Sequence, residues 1–381
     1  RTVEDVDRIL GFAKLTSTDL QPSVQCINFK SPIDNEAFKL MEMNEDMLRE
    51  LEDGKKLVIR GDRADTAVLC TKNKTYEVRG AETSNLLLLL PSCLMGDELP
   101  DEKNLIHQEV ACLKHEYFET KLIKPRLSRL RGLLMESPYS GAAEDTENPD
   151  DTLYTLESLL SKVQASEDEL LAALEGLQAF QLNGHWRVLD SAYMERVLGS
   201  IISLKDENAW NLDSIPIDAT CEELGDTYLG TVIKHVLCCF GKRNTDGCTV
   251  AILEDKVCRF TGEVILKATM KMNLEEFEAT WKLAVPEGMN TSLYQLEGLA
   301  VLDYESRPSV IEFFSAYDLP EDPNDRFAAL FTKRSKWSLD EIKPFIKDIA
   351  TDKVGISALL TKYTRASTQK GMKLYTSKRP L

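Results

Sequence analysis

The run Leu86-Leu87-Leu88-Leu89-Leu90, closed by Pro91, leaves few folding options. Five leucines are too few for a membrane-spanning helix, which needs about 20 apolar residues. As a strand, the run has no polar face, so both of its sides must be covered. It ends residues 57–91, LVIRGDRADTAVLCTKNKTYEVRGAETSNLLLLLP, where apolar runs Leu57–Ile59, Ala67–Cys70, Tyr76–Val78 and Leu86–Leu90 alternate with turn-forming polar residues. That spacing predicts a β-meander of four strands. The cover over the leucines comes either from helices of the same domain or from another protein.

Around the meander the chain reads as a β-rich domain over residues 1–120. Val3, Val6, Ile9, Leu10 and Ala13 recur at helical spacing near its start. Asn44 caps a short second helix with Glu45 and Asp46 in its first turn and Gly54 at its end. Residues 105–120 predict one or two further strands.

Beyond residue 120 the pattern becomes helical. Three segments pair a capping residue with an early acid and an apolar i, i+3 pair: Thr155–Leu159, Asn273–Phe277 and Ser338–Ile342. Each is followed by a second helix start, at Ser166, Ser292 and Ile356-Ser357, and then by a hairpin. The hairpins are Phe180–Leu182 with His185–Leu189 around Asn183-Gly184, Ala300–Leu302 with Val310–Phe314, and Met372–Tyr375. Two helices and a hairpin make the winged form of helix-turn-helix. The segments are unevenly spaced, which argues for separate domains rather than a solenoid. Tyr193–Leu204 and Tyr228–Phe240 are expected as extra helices, finishing the first unit and beginning the second. The expected fold class is therefore α+β, the β-rich domain being followed by three tandem winged-helix domains. They cover residues 121–215 (a basic lead-in helix and an acidic linker, then the winged helix), 216–320, and 321–381 with a basic tail.

A net charge of -17 argues against nonspecific nucleic-acid binding by the whole chain, but not against a local basic site. The strongest such site lies at the end, where Lys362, Arg365, Lys370, Lys373, Lys378 and Arg379 alternate with Tyr363 and Tyr375 and no acid intervenes. On a recognition helix and its wing these cations would neutralise phosphates and release counterions. A solvated tail, or a surface for an acidic protein, is the alternative. The cluster Lys121, Lys124, Arg126, Arg129 and Arg131 shares a helical pattern with Leu122, Leu127, Leu130, Leu133 and Leu134. Its charges either solvate an outer face or touch DNA. Acids such as Glu167, Asp168 and Glu169 would repel phosphate from the first two winged units, which are assigned to protein binding by fold analogy.

Chemistry is hard to find in this sequence. Gly241-Lys242 lacks the earlier glycine and the following serine or threonine of a phosphate-binding loop. His235, Cys238, Cys239, Cys248 and Cys258 lack the paired short spacings of a zinc site. His185, beside Trp186, is expected to be packed or solvated rather than a general base. No serine or cysteine has a recognisable activating neighbour. The chain is expected not to be an enzyme and to use no cofactor or metal. Nine cysteines, an odd number with no secretory leader evident, suit the reduced thiols of cytosol or nucleus.

SNLLLLLP, ASEDELLAALEGLQAFQLNGHWRVL, VPEGMNTSLYQLEGLAVLDYESRP, LPEDPNDRFAALFTKRSKWSLDEIKPFI and ALLTKYTRASTQKGMKLYTSKRP resemble, in this order, the family called defective in sister chromatid cohesion. The resemblance runs over nearly the whole chain. It implies a nuclear, non-ATPase subunit of the alternative replication factor C clamp loader, which acts on the sliding clamp PCNA. It also implies a barrel-like amino-terminal domain completed by the large and small partner subunits, with ATPase subunits elsewhere in the assembly. The winged domains would contact DNA and the catalytic subunit of polymerase epsilon, and no membrane. On this reading Val58, Tyr76, Val78, Leu86, Leu87, Leu88, Leu89 and Leu90 bind partner chains. The runner-up is a stand-alone winged-helix transcription regulator.

Overall fold

The computed structural model describes residues 2–29, 31–95, 98–100, 102–142, 152–350, 355–369 and 371–378. The chain divides into two compact units. One comprises Arg1–Ile59, Thr66–Thr71 and Tyr76–Ile123, and the other comprises Arg60–Asp65, Lys72–Thr75 and Lys124–Leu381. No described helix is long and apolar enough to cross a membrane.

The first unit begins with helix α1 (Val3–Ala13) and strand β1 (Val24–Phe29). Helix α2 (Glu45–Glu52) follows, capped by Asn44, whose Oδ1 accepts from Met47 N at 2.9 Å. Its Met47 packs with Leu69 and Tyr76 into a small core. The strands are β2 (Val58–Arg60), β3 (Val68–Cys70), β4 (Thr75–Leu89), β5 (Leu105–Val110) and β6 (Cys112–Ile123). They form a four-stranded sheet in the order β2-β3-β4-β6 and a separate parallel pair β1-β5. No closed barrel exists among the described residues.

Two expectations change here. The third and fourth runs of the meander are not separate strands, because Arg79–Asn85 stays extended and joins Tyr76–Val78 to the leucines in one fifteen-residue strand. Strand β1 had no place in the sequence reading. Its pairing with β5 places Val24 beside Leu105 and Phe29 beside Val110, a register that neither segment shows alone.

In the second unit one order of elements recurs four times: helix, short strand, two helical segments, hairpin. The first copy contains α3 (Ser128–Met135), a one-residue bridge from Tyr154 to Trp186, α4 (Leu156–Lys162), α5 (Glu167–Gly176), β7 (Phe180–Leu182) and β8 (His185–Arg187). Its hairpin turns at Asn183 and Gly184, with φ of 51° and 82°, as a tight Asn-Gly turn requires. The second copy contains α6 (Ser191–Glu207), β9 (Ile215–Pro216), α7 (Ile217–Glu223), α8 (Gly230–Phe240), β10 (Gly241–Arg243) and β11 (Thr249–Ile252).

The third copy contains α9 (Glu254–Thr269), β12 (Lys271–Asn273), α10 (Leu274–Ala284), a 3-10 turn at Leu293–Leu296, β13 (Ala300–Asp303) and β14 (Val310–Phe313). The fourth contains α11 (Pro323–Lys333), β15 (Trp337–Ser338), α12 (Leu339–Ile342), α13 (Ile356–Tyr363), β16 (Thr364–Gln369) and β17 (Met372–Ser377). In the last three copies the final strand lies between the first strand and the hairpin's other arm.

The expected set of three is thus four among the described residues. The two helices expected as extensions of neighbouring units belong instead to a complete copy. Its first strand has two residues and its hairpin is mostly polar, so neither carries a strong local signal. Gly241 permits this copy's close packing: a Cβ there would meet Val250 Cγ1 at 2.1 Å and Leu237 O at 2.8 Å. The second helix expected at Ser292 is a single 3-10 turn, although its capping box with Gln295 forms.

One large cluster that includes Val197, Ile201, Val232, Val236, Phe277 and Trp281 joins the second and third copies and reaches Phe180 of the first, whose own core lies around Leu130, Leu134, Leu159, Leu170 and Leu174. The fourth has its own core around Phe327, Leu330, Trp337 and Phe345. The acidic stretch at residues 137–151, expected as a linker, begins inside the core, where Tyr139 is buried; its residues 143–151 lie outside the described residues, as do Lys370 and Arg379.

Candidate functional site

Two surfaces remain once each unit's core is assigned. The first is the far half of β4. Successive residues of a strand point to opposite faces, so Leu86 and Leu88 share one face and Leu87 takes the other. Their exposures are 45%, 42% and 36%, so neither face of the chain's most apolar segment is covered. Leu89 and Leu90 are half-buried. Fully burying a leucine is worth about 2 kcal/mol, and covering these three half-exposed side chains would therefore contribute about 1 kcal/mol each.

Among the described residues, one edge of β4 is also largely without a partner strand. Its neighbours in the sheet are β6 and β3, and β3 has only three residues, enough to pair with a short part of that edge. Val58 and the adjacent Ile59 are also exposed, at 39% and 65%. On the parallel pair Val24, Ile27, Phe29 and Leu105 are exposed. The sequence reading passed over the three in β1 because their alternation is interrupted by Gln25 and Cys26, and because the cover they lack depends on the fold. One assignment is corrected. Tyr76 is 2% exposed and packs against Met47 and Leu69, so it serves the unit's own core and offers no surface to a partner. Val78 packs against that same core and is partly buried.

The second surface is the hairpin β16–β17 with the end of α13. Arg365 is opposite Thr376 and Lys373 is opposite Thr368, and these two pairs are on opposite faces of the ribbon. Thr364 and Tyr375 bury the inner face near the core, while Lys373 continues that face toward the tip. Lys362 Nζ sits 5.0 Å above the Tyr363 ring and Lys373 Nζ 5.5 Å above the Tyr375 ring. Lys378 Nζ donates to Thr361 O at 3.3 Å. None of Lys362, Arg365, Lys373 and Lys378 has a carboxylate partner among the described residues. Lys336, overlooked in the sequence, joins them by donating to Gln369 Oε1 at 3.2 Å. Its signal was the adjoining Trp337, whose strand pairs with β17. Helix α13 itself carries one cation, Lys362, in its last turn.

The basic cluster at residues 121–131 has a different fate. It is not one helix: β6 runs to Ile123, and α3 starts at Ser128. Arg131 pairs with Asp318, Arg129 Nη1 reaches Asp65 at 3.4 Å, Arg126 Nη1 donates to Gln164 Oε1 at 3.0 Å, and Lys124 donates to Asp348 O. These charges are engaged within the second unit and are poorly placed for phosphate.

Of the candidate metal and thiol residues, Cys239 and Cys258 are buried and Cys238 and Cys248 are exposed. His235 stacks on Phe180 with ring centroids 4.7 Å apart, and its Nε2 lies 2.9 Å from Gln178 O and 3.4 Å from Cys239 Sγ. Burial pushes the Cys239 thiol up to about 12 and the Cys258 thiol to about 11, so neither supplies a thiolate. No group of three or more potential ligands is placed for a metal among the described residues.

Burial also lowers the pKa of His235 below its usual value of 6.5, the hydrogen bond to the Gln178 carbonyl opposing it. Because the folded state holds this histidine neutral while the unfolded state binds a proton, stability is complete above the unfolded pKa and falls as pH drops below it. Thermal melting of the wild type between pH 7.5 and pH 5 should show this loss, and His235→Gln should flatten it. An unchanged pH profile in the variant would assign the loss to other groups.

Comparison with known proteins then places the chain. The profile described as "Sister chromatid cohesion protein Dcc1" matches residues 38–346. The chain belongs to the Dcc1 family. It is 42% identical over 388 residues to the sister chromatid cohesion protein DCC1 of Xenopus tropicalis, an alignment covering all of this chain and 99% of that protein. With DCC1 of Homo sapiens it shares 40% over 390 residues, again covering 100% and 99%. With that of Saccharomyces cerevisiae it shares 21% over 324 residues, covering 78% and 84%. The matched profile includes β4 but begins after β1 and ends before α13 and the basic hairpin.

Proposed function

We propose that this chain is a non-catalytic scaffold that acts in sister chromatid cohesion, as its relatives are named to do. It does so as a nuclear subunit of the alternative replication factor C clamp loader, which acts on PCNA. The observation that carries the scaffold reading is the strand β4, apolar on both faces and open along one edge. A partner strand added there would satisfy the backbone donors and acceptors of that edge while covering leucines on both faces. Large and small partner subunits completing the open sheet into a barrel would supply that cover, and ATPase subunits would supply hydrolysis.

The four copies of the second unit read as winged-helix domains, because the order of elements and the central position of the last strand fit that architecture. In the fourth, the basic hairpin is the wing that meets the DNA backbone. The acidic starts of earlier helices, such as Glu167 and Asp168 on α5, suit protein contacts instead, including the catalytic subunit of polymerase epsilon. A stand-alone transcription regulator needs a helix that reads bases, and α13 offers Lys362 alone.

Affinity purification from nuclease-treated nuclear extract at moderate salt, followed by mass spectrometry, tests the assembly. Stoichiometric recovery of ATPase loader subunits is the expected result. Recovery of the chain alone, still able to bind DNA, would replace the scaffold with the regulator.

A further inference from the structure

Every other described α-helix buries at least one side chain, and α1 buries none. Its ends are nevertheless well specified. Thr2 and Asp5 form a reciprocal capping box, and Lys14 ends the helix in the left-handed region at φ 57°. An eleven-residue helix is marginal in water without tertiary packing. It carries the pattern that such packing requires.

At about 100° per residue, Val3, Val6, Ile9, Leu10 and Ala13 fall on one arc of about 120°. Val3 is 77% exposed and Ile9 48%. Asp7 borders one side of this stripe, with Glu4 behind it, and neither has an ion-pair partner among the described residues. On the opposite border, Asp5 is occupied by the cap and by Arg8 Nη2 at 3.3 Å. The free negative charge therefore lies along one rim of the stripe. A second copy of this chain, at a net charge of -17, or an anionic membrane would repel that rim.

We propose that α1 is a second docking element, which lies in an apolar groove of a partner protein with lysine or arginine along the wall facing Asp7 and Glu4. This rests on the scaffold reading above, but it uses a different surface. Strand β4 offers a backbone edge and leucines, whereas α1 offers side chains at i, i+3 and i+7 in the helix-in-groove manner.

Hydrogen exchange of residues 2–15, measured in the isolated full-length chain and in the purified assembly, decides it. In the assembly these amides should exchange at least about tenfold more slowly, equivalent to one decade in the opening equilibrium. Val6→Asp with Ile9→Asp should remove that protection while the assembly persists through β4. Glu4→Lys with Asp7→Lys should weaken it most at low salt, where the cationic wall is least screened. Equal exchange in the free and assembled chain overturns the proposal, as does protection indifferent to the Val6 and Ile9 substitutions. Full protection of the Glu4 and Asp7 variant at low salt overturns the cationic wall. If the native chain recovers no assembly, the scaffold reading falls and this one with it. If the assembly is intact and α1 exchanges freely, only this one falls.

Discussion

Leu88→Asp is expected to leave the isolated chain folded and to abolish its recovery with partner subunits. In the free chain Leu88 is 42% exposed on a strand whose other nearby leucines are also uncovered. Aspartate there remains in water and should change stability by under about 1 kcal/mol, mainly through its poorer strand propensity. In the assembly the same carboxylate would be enclosed beside apolar side chains with no cation opposite. Burying an unpaired charge costs several kcal/mol, which corresponds to a loss of affinity of about a thousandfold or more. Thermal melting of the isolated chain and co-purification of the assembly should be read together. Unfolding of the isolated variant would mean that the strand is needed within its own unit. A folded variant that assembles normally would refute the placement of partners on β4.

Replacing Lys362, Arg365, Lys373 and Lys378 with alanine is expected to weaken DNA binding and flatten its salt dependence. Each phosphate neutralised contributes about 0.9 to the slope of log affinity against log salt, so four contacts would contribute about 3.6. The hairpin presents Arg365 and Lys373 on opposite faces, so a single duplex need not engage all four cations, and a drop of about 2 to 3.6 in slope is expected. Folding should survive, because all four side chains extend from the exposed end of the fourth copy. The stacking of Lys362 and Lys373 on Tyr363 and Tyr375 is worth about 0.5–1 kcal/mol each at exposed sites. Fluorescence anisotropy against a labelled duplex over a salt series gives the slope directly. An unchanged slope would reassign the hairpin to protein contacts.

The substitution set omits the cluster at residues 121–131 for a structural reason. In sequence the two basic stretches look alike, since both hold five or six cations and no acid. In the fold, Arg129 and Arg131 face Asp65 and Asp318, residues distant in sequence, whereas among the described residues Lys362, Arg365, Lys373 and Lys378 face no carboxylate. The same comparison separates Tyr76 from the leucines that follow it. Both are apolar residues of one strand, but α2 brings Met47 over Tyr76, while no described helix of the unit covers Leu86–Leu88.

The sequence by itself determined what is encoded within a few residues. Asn44, Ser166 and Ser338 cap helices where expected, Asn183-Gly184 turns a hairpin, and each signal acts through bonds spanning no more than about one helical turn. The leucine run likewise announced a strand in need of cover. Only the tertiary structure decided that β4 is continuous, that β1 pairs with β5, and that Ile215–Pro216 joins β11 to complete the second copy. Strand pairing and charge compensation depend on segments far apart in the chain. Their partners are chosen by the packing of the whole unit, which no short window of sequence records.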